Sequence, residues 1–137
     1  MRKAIIILFL TLPMVGIGQT VTKTKTLKVT DLGNQRLEAF ISRDTTYVLY
    51  VKTGQRVYPY VTCDLGRKER AIELLTFLYD LDVEKGDIID LENDTHNLVT
   101  KNKLGGLRVY SEGKQFSGQL RKPNISGFIE AIREFAK

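Results

Sequence analysis

An α+β fold follows from three observations. Short segments rich in Thr, Val and Tyr alternate apolar with polar residues, short links bearing Gly or Asp join them, and two later segments repeat apolar residues at helical spacing. The architecture they predict is a mainly antiparallel sheet of about six to eight strands with two helices packed on one face, in the order ββββα then βββ(β)α. With 137 residues, 42% apolar and 27% charged, the composition suits one domain and excludes disordered, collagen-like and coiled-coil chains. The single Cys excludes a disulfide framework.

Residues 1–18 read as a secretory signal peptide. Arg2 and Lys3 give a positive start, an apolar run follows, and Gly16-Ile17-Gly18 supplies small residues for cleavage before Gln19. The run is shorter than the roughly 20 residues a membrane-spanning helix needs, so no transmembrane segment is expected. A lipid anchor would need a Cys after the run, and Cys63 is far downstream. Residues 19–137 are therefore expected to form one soluble exported domain, periplasmic or secreted, with a leader in the bacterial style.

Residues 20–29 predict an edge strand guarded by Lys23 and Lys25. The turn Asp31-Leu32-Gly33-Asn34 leads to strands over 36–42, 46–52 and 56–63, whose links Arg43-Asp44-Thr45 and Thr53-Gly54-Gln55 are hairpin turns. Over 67–81 the period changes: Ala71, Ile72, Leu75, Leu78 and Tyr79 share one stripe, with Asp64 as the cap and Gly86 past the end. Strands follow over 87–91 and 96–101, then a hairpin of 106–111 with 115–121 turning at Glu112-Gly113-Lys114. Pro123 stops the pairing, and Ile125, Phe128, Ile129, Ile132, Phe135 and Ala136 mark a second helix. A shift of 57 residues lays Ile72-Glu73, Leu75 and Leu78 over Ile129-Glu130, Ile132 and Phe135. Any two amphipathic helices share that spacing, so it does not separate duplication from coincidence.

The period of two sorts strand residues into a core set and an outer set. Leu37, Ala39, Ile41, Tyr47, Leu49, Val51, Val57, Val61, Cys63, Leu107, Val109, Phe116 and Leu120 form the core set. The outer set holds Phe40, Tyr50, Lys52, Tyr58, Tyr60, Arg108 and Tyr110, rings with hydroxyl tips beside cations, which suits a protein or glycan partner. The competing explanation is that aromatic residues favour strands and pair across them. Pro59 lacks a ladder donor and places that stretch at an edge or bulge.

Residues 63–94 carry ten acidic and four basic residues between two basic flanks. Asp80, Asp82, Glu84, Asp87, Asp90, Glu92 and Asp94 offer dense oxygen ligands of the kind Ca²⁺ takes, with Asp80, Asp82, Glu84, Asp87 and Glu92 as the set. The run from Asp80 matches an EF-hand loop only with one residue inserted, which displaces Gly86 and Glu92 from their roles. The simpler reading is a turn at Lys85-Gly86 and a strand burying Ile88 and Leu91. Cys63 and His96 are the one thiol–imidazole pair available to a hydrolase, but Cys63 is in phase with Val61 and reads more simply as a buried inert thiol. With one His and one Cys, zinc sites are excluded, and no glycine-rich phosphate loop is present. Asn93-Asp94-Thr95 and Asn124-Ile125-Ser126 fit the N-glycosylation triplet.

The function this predicts is a small exported binding module, an accessory subunit or inhibitor, using the aromatic face and its basic rim, with no cofactor and no nucleic acid. The alternatives are a secreted hydrolase, built on Cys63/His96 or on carboxylates, and a Ca²⁺-stabilised module. Partner identity and oligomeric state are not encoded legibly.

Overall fold

The computed structural model describes residues 25–102 and 106–135. The signal-peptide reading of residues 1–18 lies outside them, as do Lys23 and Ala136. The α+β class is as the sequence predicts, but the strands form two four-stranded sheets and not one. The first is an antiparallel meander of β1 (Lys25–Leu32), β2 (Gln35–Ile41), β3 (Thr45–Lys52) and β4 (Tyr60–Arg67). Helix α1 (Lys68–Asp80) follows. The second sheet is a meander of β5 (Ile89–Asp90), β6 (Leu98–Lys101), β7 (Leu107–Tyr110) and β8 (Ser117–Leu120), closed by α2 (Lys122–Phe135).

Local chemistry explains most of these boundaries. Gly33, at φ 63°, completes a two-residue hairpin that pairs Leu32 with Gln35. Val29 is the extra residue of a bulge in β1. Pro123 does not merely stop the pairing: it sits in the first turn of α2, where its missing N–H has no partner to lose. The third hairpin departs from the sequence reading. The strand expected over 56–63 begins at Tyr60 and runs on to Arg67, so Asp64 is a strand residue and not the helix cap. Arg67 takes the cap position with no side-chain bond. Extension is possible because Leu65 bulges from the β3 ladder and Gly66 takes φ 82° beyond it.

One core joins both sheets and both helices. Leu37, Ala39, Leu49, Val51, Val61, Cys63 and Leu65 from the first sheet meet Ala71, Leu75 and Leu78 of α1, Ile125, Phe128 and Ile132 of α2, and Val99, Leu107, Val109 and Leu120 of the second sheet. Val57 is the main error in the expected core: it is 78% exposed, because residues 53–59 form a loop with no ladder to turn it inward. Ile88, expected to be buried, is 51% exposed one residue before β5. The helices pack on each other, and Lys122 at the start of α2 donates to the Leu81 carbonyl at 2.6 Å, giving the C-terminus of α1 the cation that its own last turn lacks.

The halves share one strand–helix plan. The shift of 57 residues that aligns the helices also carries buried Val61 and Cys63 of β4 onto buried Gly118 and Leu120 of β8. Gly118 has no side chain there for a steric reason. A Cβ at that position would lie 2.5 Å from the Lys52 carbonyl oxygen and 2.7 Å from Val51, so β8 runs against the backbone of β3.

Candidate functional site

The helices occupy the core side of the first sheet, so its other face, with Arg36, Glu38, Phe40, Val48, Tyr50, Lys52, Tyr60 and Thr62, is covered by no helix among the described residues. On the second sheet the matching face carries Leu98, Thr100, Arg108, Tyr110, Ser117 and Gln119. The two sheets are tied together through Asn97. Asn97, with no exposed surface, donates from its single amide nitrogen to the Thr62 carbonyl on β4 and to the Tyr110 carbonyl on β7, each at 3.0 Å. Tyr58, in the loop before β4, stacks on Phe116, just before β8, with ring centroids 4.5 Å apart.

Several of the aromatic and basic residues singled out from the sequence lie on the strands and loops so joined. Tyr50 and Tyr60 meet edge to face at 6.0 Å, and Lys52 lies opposite Tyr60 on the neighbouring strand. Arg108 donates to Ser117 Oγ at 3.0 Å, and the Lys114 ammonium stands 5.7 Å over the Tyr110 ring. Burial, and then the Glu38 carboxylate, hold the Tyr50 phenol above its ordinary pKa, so it stays a neutral hydroxyl. Phe40 is not part of this group. It pairs with Thr46, four residues along β3 from Tyr50, or roughly 13 Å away at the far end of the sheet. Arg36 is engaged with Asp31 at 3.1 Å and Glu38 at 3.6 Å, whereas Lys52, Arg56, Arg108 and Lys114 form no ion pair among the described residues.

The loop that carries Tyr58 is held in shape by Thr53. Its hydroxyl donates to the Tyr58 carbonyl at 2.6 Å and accepts from the Gln55 N–H at 3.0 Å, while its own N–H donates to the Pro59 carbonyl at 2.9 Å. Residues 54–59 are all exposed, with Tyr58 at 55%.

The acidic segment behaves differently from the cation site considered for it. Asp80, Asp82, Glu84, Asp87 and Glu92 are exposed, and among the described residues no group of three or more His, Cys, Asp or Glu is placed to hold a metal ion. Asp80 ends a helix, Asp82 to Asp87 line an open turn, and Asp87 is spent on the Glu84 N–H at 3.3 Å. Asp94, from the same segment, instead meets Asp64. Burial and the neighbouring Asp94 carboxylate push the Asp64 carboxyl up, against the Gly66 N–H, which donates to it at 3.2 Å. These two acids, with Gly66, Arg70, Glu92 and Asn93, line a cleft of about 170 Å³. No local pattern announces this pairing, since thirty positions separate the two acids and Asp64 reaches it only as part of the extended β4.

Cys63 is 1% exposed, and burial pushes its thiol up to about 12, assisted by Asp64. His96 is exposed in a loop, at φ 48°, and Asn93, not His96, contacts the sulfur, at 3.6 Å. Neither glycosylation triplet presents a free Asn: Asn93 donates to the Asp64 carbonyl and to Asn97 Oδ1, each at 2.9 Å, and Asn124 donates to Gln35 Oε1 at 2.7 Å. No helix among the described residues is long and apolar enough to cross a membrane.

No protein-family model matches the chain, and no solved structure matches it. Among curated proteins, a cytidylate kinase from Enterococcus faecalis (strain ATCC 700802 / V583) is 26% identical over 78 residues, which is 57% of this chain and 34% of that protein. The chain thus spans about a third of the length of that relative, and the likeness does not place it in a family.

Proposed function

We propose that the protein is a small exported binding module whose contact surface is the aromatic and basic junction between the two sheets. The observation that carries this reading is the position of Tyr58 and Phe116: a tilted aromatic pair with centroids 4.5 Å apart, reached from the exposed loop before β4 and from the β7–β8 connection, so that it spans the two sheets. Tyr and Arg around a partly exposed apolar patch are what protein contact surfaces concentrate. The likeness to a cytidylate kinase adds no support for phosphoryl transfer, because the chain has no G-x-x-x-x-G-K-[ST] loop. Capture from an envelope and culture extract with the tagged chain tests the reading. The expected result is a stoichiometric partner retained by the native chain and lost with Tyr58→Ala plus Tyr60→Ala. A partner retained by that variant, with an unchanged melting curve, overturns it.

A second reading, carboxylate-based hydrolysis, has one observation in its favour, the Asp64–Asp94 pair in an open cleft. Turnover of nitrophenyl glycosides or esters at about pH 5 that disappears in Asp94→Asn supports it, and absence of turnover across the panel removes it.

A further inference from the structure

The junction carries an imbalance of charge that its aromatic content does not explain. Segments 50–62 and 107–120 together hold Lys52, Arg56, Arg108 and Lys114 against a single acid, Glu112. On the first sheet and α1 several cations do find carboxylates: Lys28 and Arg36 share Asp31, Arg67 faces Asp44, and Arg70 faces Glu73, whereas Lys25 and Lys68 form no ion pair among the described residues. At the junction the four cations have none. Cations without carboxylate partners in the chain are left for an anionic partner to meet.

The geometry of the rings selects among anionic partners. A sugar ring stacks on a flat aromatic face that is free. Here the faces of Tyr58 and Phe116 are turned on each other at 35°, Lys114 stands over the Tyr110 ring, and Tyr50 meets Tyr60 edge-on at 78°. Each of these contacts takes up a ring face, and the exposed surface beside them includes Tyr58, 55% exposed, and the aliphatic side chain of Val57, 78% exposed. Such mixed, curved surface packs against amino-acid side chains. The Thr53 bonds hold the loop in one shape before contact, so little ordering is lost on binding.

We infer that the partner of this surface is an acidic stretch of polypeptide containing aromatic or aliphatic residues, its carboxylates meeting Lys52, Arg56, Arg108 and Lys114 and its apolar side chains meeting Val57 and Tyr58. The inference rests on the binding reading above and names the class of ligand. Arg56 and Lys114 are exposed side chains on a loop and a turn, so reversing their charge leaves the core intact.

The test is fluorescence anisotropy of a labelled random Glu–Tyr copolymer titrated with the full chain. Saturable binding is expected that weakens about tenfold between about 50 and about 300 mM NaCl and about tenfold again in Arg56→Glu/Lys114→Glu. Polyglutamate alone is expected to bind more weakly than the copolymer. Equal affinity in the double variant, or tighter binding of heparin or of phosphatidylglycerol vesicles than of the copolymer, overturns the inference. If the copolymer fails while Tyr58→Ala plus Tyr60→Ala still releases a captured partner, the acidic class is wrong and the binding reading stands.

Discussion

Asn97 and Thr62 are joined by a hydrogen bond of 3.0 Å in which a fully buried side chain satisfies the outer edge of β4. Thr95 and Asn93 continue the same edge. The Asp64 N–H donates to Thr95 Oγ1 at 2.9 Å, and Asn93 donates to the Asp64 carbonyl at the same distance. Side chains at alternate positions of one loop thus stand in for a fifth strand, and β4 has no free edge there to pair with another chain. Asn97 is also internally complete, its oxygen accepting from Asn93 at 2.9 Å and from Thr95 at 2.5 Å.

Asn97→Ala leaves two partly buried carbonyls and the Asn93 amide without that partner. A loss of about 3 kcal/mol is expected by urea denaturation, since each stranded buried group costs roughly 1–3 kcal/mol. Asn97→Asp should be at least as harmful, because an acceptor then faces the Thr62 and Tyr110 carbonyls. A loss below about 0.5 kcal/mol for both would show that the two sheets are joined by packing alone.

Gly118→Ala is expected to destabilise by about 1–3 kcal/mol, because the added methyl falls on the Lys52 carbonyl oxygen and the backbone of β3 must move. Gly127→Ala is the control. Its nearest neighbour, at 2.7 Å, is the tip of the Leu32 side chain, which can rotate away, so a much smaller change is expected in the same thermal melts.

The Asp64 pair makes a prediction about pH. A carboxyl whose folded pKa is raised binds its proton more tightly in the native state, so its contribution is complete below the ordinary carboxylate range near pH ~4 and fades as pH rises through the raised value. Asp94→Asn removes the opposing charge and keeps a polar neighbour. Stability at pH 7 should rise, and the slope of stability between mildly acidic and neutral pH should flatten. An unchanged slope would mean that the two acids do not sense each other.

Cys63 should resist thiol reagents in the native protein at pH 8 and react fully once urea unfolds it, because the thiolate scarcely forms in a site that raises its pKa to about 12. Rapid labelling of the folded chain would contradict the burial and return attention to a nucleophilic thiol.

The strand and helix order was legible because it rests on local periodicity. The Leu37-Ala39, Leu49-Val51 and Ile125-Phe128-Ile132 patterns announce which side each element buries, and those residues are buried. Cys63 was readable for the same reason, through its phase with Val61. The third hairpin was misread because Val57 continues the alternation by chance while Pro59 interrupts the ladder, so the strand starts four residues later. Of the outer aromatic set, Tyr50 meets Tyr60, Tyr58 meets Phe116, and Phe40 stands apart near the other end of β3, since alternation fixes the face of a strand but not the position along it.

By itself, then, the sequence determined the α+β class, the order of elements and the inward face of most of them, all properties of neighbours within a few positions. Tertiary structure alone decided that the strands divide into two sheets, that Gly118 lets β8 lie against β3, that Asn97 bridges β4 and β7, and that Asp64 meets Asp94. Each of these joins residues 30 or more positions apart or turns on a single steric fit, and local propensity carries no information about which distant surfaces will meet.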